Sequence, residues 1–107
     1  MDCPSPLHRK PIVSSVKIDI YNHVMPPAYV ELVKTHGKEP GMVKRMSQLR
    51  MLWDMPARVA MLEQFPDVQQ IISLAVPSPD MLGGPDVSPP YARVANEGMA
   101  DICREWP

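Results

Sequence analysis

The sequence predicts an α/β fold in which parallel strands are joined through helices. Alternating apolar residues at positions 16, 18 and 20 indicate a first strand, and an almost continuously apolar run within residues 68–76 indicates a second. Helical periodicity fills the chain between these strands and returns after the second one. Strands connected through helices pair in parallel by a right-handed crossover. The order strand, helices, strand, helix therefore predicts a parallel sheet whose second strand is covered on both faces.

The first strand leads to the residues of greatest chemical interest. Pro26-Pro27 cannot extend the strand, because proline has no amide hydrogen to donate. Asn22 and His23 therefore fall at its carboxyl end, which is where α/β folds place ligand-binding groups. Two interpretations of His23 stay open on these grounds: a metal ligand, or a histidine that ends the strand and hydrogen-bonds locally.

Two helices are predicted directly after this strand. The first covers residues 28–35, with Pro27 at its start, His36 in its last turn and Gly37 as its stop. After a turn at residues 38–41, the next apolar residues share one face of a short helix: Met42, Met46 and Leu49. The basic residues beside them are expected to be solvated rather than to bind an anionic substrate: Lys44, Arg45 and Arg50.

A third helix is predicted from Asp54, a favourable N-cap, to Phe65, because Pro66 ends it. One apolar stripe of this helix is expected to face the core: Met55, Val59 and Leu62. Arg58 and Glu63 are expected to point away from that stripe.

A loop and a last helix are predicted after the second strand. Prolines end the strand, and residues 80–87, with Gly83-Gly84, are expected to form a flexible loop at the same end of the sheet. Ser88 is predicted to cap a helix that has Pro89 at its first position. This helix has the clearest amphipathic pattern in the chain, with apolar residues three or four apart: Tyr91, Ala95, Met99, Ile102 and Trp106.

Composition limits the class of protein. A chain of 107 residues suffices for one small domain, and an apolar content of 45% argues against general disorder. The 11 basic and 12 acidic residues are balanced, so neither nucleic acid nor an anionic membrane is expected as a partner. No apolar run has the length of a membrane span or the character of a signal peptide, and a cytoplasmic location is expected.

The cysteines and the N-terminal residues carry little functional signal. Cys3 and Cys103 share no close spacing with each other or with a histidine pair, so neither a zinc knuckle nor a disulfide framework is indicated. Cys103 is expected to be a small apolar residue on a helix. Residues 1–13, which include His8 and show no periodicity, are interpreted as a flexible arm before a domain spanning residues 14–107.

Residues 18–27, Ile-Asp-Ile-Tyr-Asn-His-Val-Met-Pro-Pro, resemble the first-strand signature of the amidohydrolase-2 family. This branch of the amidohydrolase superfamily contains aminocarboxymuconate-semialdehyde decarboxylase and related carboxy-lyases. Residues 53–63 resemble the stretch before the family's second strand, and residues 68–74 resemble that strand. Residues 92–107 are similar to a later segment with an Arg-x-x-Asn-Glu core. The resemblance extends from Lys17 over nearly all of the chain.

The resemblance implies a (β/α)8 TIM barrel that holds one divalent metal ion, zinc in the first instance, at its carboxyl mouth. His23 is the implied metal ligand, with Tyr21 and Asn22 close to the metal or the substrate. Tyr21 stands where the family presents a further histidine, so the usual His-x-His pair is reduced to His23. Asp19 is expected to fix the strand end rather than to do chemistry, and residues 77–78 are weaker candidates for lining the pocket.

The activity that the resemblance implies is non-oxidative decarboxylation of a small carboxylated substrate, with hydrolysis on the same fold as the alternative. Such barrels need about 250 residues. The 107 residues are therefore interpreted as the first part of a longer enzyme, whose remaining ligands lie on later strands, and alone they are expected to be inactive and marginally folded. The resemblance also leaves a homodimer open. Two other classes remain: a metal-free interaction protein with a methionine-rich apolar surface, and an unrelated small α/β domain.

Overall fold

A computed structural model describes residues 15–107 of the chain. The arm predicted over residues 1–13, with Cys3 and His8, lies outside this range. No helix within the described range is long and apolar enough to cross a membrane. The elements follow one another in the predicted order: β1 (Lys17–Asp19), α1 (Pro27–His36), α2 (Pro40–Gln48), a 3-10 turn (Arg50–Leu52), α3 (Met55–Leu62), β2 (Val68–Gln70), α4 (Pro79–Leu82) and α5 (Ser88–Glu105).

β1 and β2 form a two-stranded parallel sheet, which confirms the predicted strand direction. The register sets Lys17 beside Val68, and an isolated parallel bridge joins Val24 to Leu74 further along. The helices between the two strands provide the crossover. Helices alternating with parallel strands make this an α/β arrangement.

Both strands are shorter than the sequence pattern predicts, with three residues each. β1 stops where the Asp19 carboxylate accepts the Tyr21 amide at 3.1 Å, because this local hydrogen bond competes with the ladder. The prediction that the second strand is covered on both faces is wrong, since Ile71 remains 58% exposed. Ile18 and Ile20 are exposed as well. Helices therefore cover one face of the sheet and leave the other face open.

The core lies between α1, α4, α5 and the segment that follows β2. Its buried apolar residues come from these four parts and from the segment just before α1: Met25, Tyr29, Val33, Ala75, Leu82 and Ala95. Tyr29 and Val33 lie four residues apart on one face of α1, as predicted. α5 approaches the start of α1 closely at Gly98, where an added Cβ would meet the ring of Pro26.

The helix boundaries depart from the prediction where prolines start a helix. α2 begins at Pro40, inside the predicted turn, and the predicted loop at residues 80–87 begins within α4, which starts at Pro79. A proline at the first helical position presets the helical φ angle, so both starts have the same cause. The predicted cap at Ser88 is wrong, because Ser88 is already the first residue of α5 and makes no capping hydrogen bond. Pro90 lacks the amide that such a cap would bind.

α3 begins where the sequence predicts, but its end and the direction of one of its side chains differ from the prediction. The Asp54 side chain accepts the Ala57 amide at 3.1 Å and so caps the helix. The helix ends at Leu62 rather than at Phe65. The expected outward direction of Arg58 is wrong, since the residue is only 6% exposed and its guanidinium lies inside the fold.

Candidate functional site

The candidate site lies where the polypeptide leaves the carboxyl ends of β1 and β2. His23 precedes the bridging residue Val24, and Ser73 precedes its bridging partner Leu74. The amide of Val24 donates to the carbonyl oxygen of Ser73 at 2.8 Å, which brings the two segments side by side. The exposed side chains of His23 and Ser73 consequently meet across the segments.

The hydrogen bonds of Ser73 decide which nitrogen of His23 carries the hydrogen. The Ser73 hydroxyl donates its single hydrogen to the carbonyl oxygen of Asn22 at 2.7 Å. Its oxygen can then only accept in the 3.1 Å contact with His23 Nδ1, so Nδ1 carries a hydrogen. In the neutral ring the lone pair is on Nε2, which has no hydrogen-bond partner among residues 15–107. Nε2 is thus the atom free to bind a metal ion or to take up a proton.

Tyr21 stands next to this histidine. The two rings meet edge to face, with centroids 5.4 Å apart and planes at 71°. Tyr21 is 85% exposed, so its hydroxyl is open to solvent. The sequence placed Tyr21 beside the site, and the structure brings it into contact with His23.

Asn22 is turned toward the helices rather than toward solvent. Its Nδ2 donates to the carbonyl oxygens of Asp19 at 2.9 Å and Ile71 at 3.0 Å, which ties the end of β1 to the residue after β2. Its Oδ1 accepts from Arg58 Nη2 at 2.9 Å. With both amide hydrogens and its oxygen engaged, Asn22 fastens the strand end from the side opposite to His23.

Arg58 is the functional residue that the sequence reasoning missed. Its Nε and Nη2 both donate to Gln70 Oε1, at 3.1 and 2.7 Å. Nη2 also donates to Asn22, and Nη1 donates to the carbonyl oxygens of His23 at 2.8 Å and Met51 at 3.0 Å. These five bonds use all five hydrogens of the guanidinium, so none is left for a ligand.

A signal for Arg58 was present in the helical spacing. The residue lies three positions after Met55 and four before Leu62, on the face that the apolar stripe occupies. Burial lowers the pKa of Arg58, and the negative charge of Asp19 opposes this effect. Asp19 does not touch the guanidinium. Its Oδ2 accepts from Gln70 Nε2 at 3.0 Å, so Gln70 bridges the two charges.

The remaining sequence candidates lie elsewhere. Ser78 donates to the carboxylate of Asp80 at 2.6 Å, and Pro77 is buried with its carbonyl oxygen bound by the Tyr29 hydroxyl at 2.7 Å. Cys103 is on a helix, as predicted, but it is exposed. None of these residues reaches His23.

A groove of about 730 Å³ lies on the helix side of the sheet, between α3, β2 and the end of α5. Its walls are mainly apolar and include Val59, Leu62, Val68, Ile72 and Trp106. His23, Tyr21 and Ser73 do not line it. This groove and the candidate chemistry therefore lie apart.

The metal that the resemblance implies can be tested against the donor set. Zinc sites in proteins use three or four protein ligands. Within residues 15–107, no three His, Cys, Asp or Glu side chains come together to hold an ion. His23 fits the role of a single ligand, because it is exposed and its Nε2 is open. The described residues thus fit one corner of a metal site and do not complete it.

Comparison with known proteins adds no assignment. No family model matches the chain, and no curated protein matches it.

Proposed function

We propose that residues 15–107 are the opening β/α units of a (β/α)8 barrel, in a metal-dependent carboxy-lyase of the amidohydrolase superfamily. In this proposal His23 is one ligand of a divalent ion, zinc by resemblance. The observation that carries the proposal is the position of His23 at the carboxyl end of β1, held at Nδ1 by Ser73 and open at Nε2. Barrel enzymes of this architecture place their chemistry at that end of the strands.

The open sheet supports the barrel. A two-stranded parallel sheet has an unpaired edge on each side, and natural sheets rarely leave such edges uncovered. The face opposite α3 also carries three exposed isoleucine side chains, between 58 and 73% accessible: Ile18, Ile20 and Ile71. In a barrel this face would be the interior, which is filled by branched apolar side chains.

The chain's own residues would prepare the metal ligand. Ser73 binds Nδ1 of His23 and so leaves Nε2 as the neutral nitrogen donor for the ion. When bound, the ion supplies Lewis acidity toward the carboxylate of a small substrate. Decarboxylation then breaks the bond to the carboxylate carbon, carbon dioxide leaves, and a proton replaces it on the electron pair left behind. The proton donor and the other ligands are expected on later strands.

A metal-free interaction protein is the second candidate, and the same exposed apolar face favours it. Tyr21 in place of a second histidine is consistent with a chain that has no metal. The exposed methionines of the described residues are Met51 and Met81, whereas the open face of the sheet carries isoleucine. Metal content separates the two candidates.

The test measures zinc in the complete protein, purified without chelators. We expect about one ion per chain, lost in His23→Ala because a ligand is removed. His36→Ala is the matched control, since His36 is exposed at the end of α1 and stacks on Tyr91, remote in sequence from the strand end. Absence of a divalent ion, together with unchanged activity in His23→Ala, would refute the proposal and leave the interaction protein.

A further inference from the structure

The backbone around His23 has little regular structure to hold it. β1 ends at Asp19, and the next pairing is the single bridge at Val24. Between these points, the ladder does not fix the peptide planes that set the direction of the His23 side chain. Apart from the backbone bond of the Val24 amide, whatever fixes them must come from side chains.

Arg58 supplies that support from the helix side. Its Nη1 binds the carbonyl oxygen of His23, and its Nη2 binds the side chain of the preceding residue, Asn22. From the sheet side, the Val24 amide binds the Ser73 carbonyl at 2.8 Å. The peptide group between His23 and Val24 is therefore hydrogen-bonded from both the helix side and the sheet side.

The planar shape of the guanidinium allows it to make these hydrogen bonds at the same time. One planar group reaches four acceptors on three parts of the fold: the strand end, β2 through Gln70, and the 3-10 turn through Met51. A lysine at position 58 would bring the charge but only three donors from a single atom. It could not hold the strand end, β2 and the turn in the same geometry.

We infer that Arg58 is a positioning residue for His23: through the His23 carbonyl and Asn22, it holds the imidazole in the orientation in which Ser73 fixes the Nδ1–H tautomer and Nε2 faces outward. The value of this orientation for metal binding rests on the proposed function. The orientation itself does not, because the contacts that produce it lie within the described residues.

The test reads the tautomer of His23 by long-range ¹⁵N–¹H correlation of the imidazole, on the whole chain at about pH 8, after a chelator has removed any metal ion that would itself fix the tautomer. Wild type is expected to show the Nδ1–H form, whereas a free histidine in water favours Nε2–H. In Arg58→Met the His23 carbonyl is released, and we expect the preference for Nδ1–H to be lost. Arg58→Lys is expected to recover only part of it.

Arg93→Met is the matched control, because Arg93 is exposed on α5 and the change also replaces an arginine by methionine. It should leave the tautomer of His23 as in wild type. If Arg58→Met does not fold, Arg58→Lys decides by the same measurement, since it keeps the charge but cannot reach all four acceptors. A folded Arg58→Met or Arg58→Lys protein with the wild-type tautomer would overturn the inference.

The outcome is independent of the metal proposal. A tautomer that responds to Arg58 in a protein that binds no zinc would leave the positioning role standing and remove the enzyme assignment. If zinc binds through His23 but the tautomer does not respond to substitution of Arg58, the metal proposal stands and the positioning role is removed.

Discussion

Tyr29 offers a quantitative test of how the core is built, because its hydroxyl is buried and has one partner. The side chain is 0% exposed, and its hydroxyl donates to the carbonyl oxygen of Pro77 at 2.7 Å. Tyr29→Phe removes the donor and leaves that carbonyl buried without it. A buried acceptor left unsatisfied costs about 1–3 kcal/mol, so we expect the free energy of unfolding at neutral pH to fall by about 1–2 kcal/mol.

The ionisation of Tyr29 should also make the stability of the protein fall at alkaline pH. Burial, with a smaller contribution from Asp80, raises the pKa of Tyr29 from 10.0 to about 12 in the folded protein. The stability that this provides is fully present below the unfolded pKa and is lost as pH rises toward the folded pKa. At about 1.4 kcal/mol per pKa unit, wild type should lose about 1.4 kcal/mol by about pH 11, and phenylalanine loses none of this. The difference between the two proteins should therefore vanish at about that pH.

The assay is urea unfolding followed by circular dichroism, at neutral pH and at about pH 9 and 11, for wild type and Tyr29→Phe. Sucrose in all samples favours the folded state at the start of each titration. Tyr21→Phe is the matched control, because Tyr21 is 85% exposed and loses the same hydroxyl from the surface. The control should match wild type at every pH.

Two results would refute the reasoning about Tyr29. One is a stability difference between wild type and Tyr29→Phe that stays constant from neutral pH to about pH 11. The other is an ultraviolet titration in which Tyr29 ionises with the ordinary tyrosine pKa of about 10. Either result would mean that water reaches the Tyr29 hydroxyl.

Replacing each of two helical glycines by alanine should change the stability in opposite directions, measured as shifts of the unfolding midpoint. Gly98→Ala should destabilise by about 1–3 kcal/mol in spite of alanine's helix propensity, because the new methyl would meet Pro26 where α5 packs on the start of α1. Gly41→Ala should stabilise by up to about 1 kcal/mol, because nothing lies within 4 Å of its added Cβ on α2. Equal shifts of the same sign would contradict the close contact between α5 and α1.

The sequence predicted the features that depend on local chemistry or on connection type. The parallel direction of the strands followed from the helical connection between them, and α3 begins where Asp54 was expected to cap it. α1 matched because Pro27 and Gly37 mark its two ends. These signals act within a few residues and need no knowledge of the remaining fold.

The features that failed depend on contacts far apart in the chain. Arg58 has a polar side chain on an apolar stripe, and its burial depends on acceptors at His23 and Asn22, 35 and 36 residues away. The second strand was predicted to be buried on both faces because its residues are apolar. The exposure of those residues depends on which other elements pack against the strand. At the candidate site, the position of His23 was predicted, but its link to Ser73, 50 residues later, was not visible in any spacing.

The hydrogen bonds of Arg58 also bear on the order in which this chain folds. Its link to Gln70 spans 12 residues, whereas Asn22 and Ile71 lie 49 apart. Closing a short loop loses less chain entropy than closing a long one, so α3 and β2 should associate first. Pulse-labelled hydrogen exchange would contradict this if β1 amides gained protection before those of α3. If α3 and β2 do associate first, the Arg58 guanidinium is already bound to Gln70 before the first strand pairs with β2. The first strand then supplies the acceptors at Asn22 and His23.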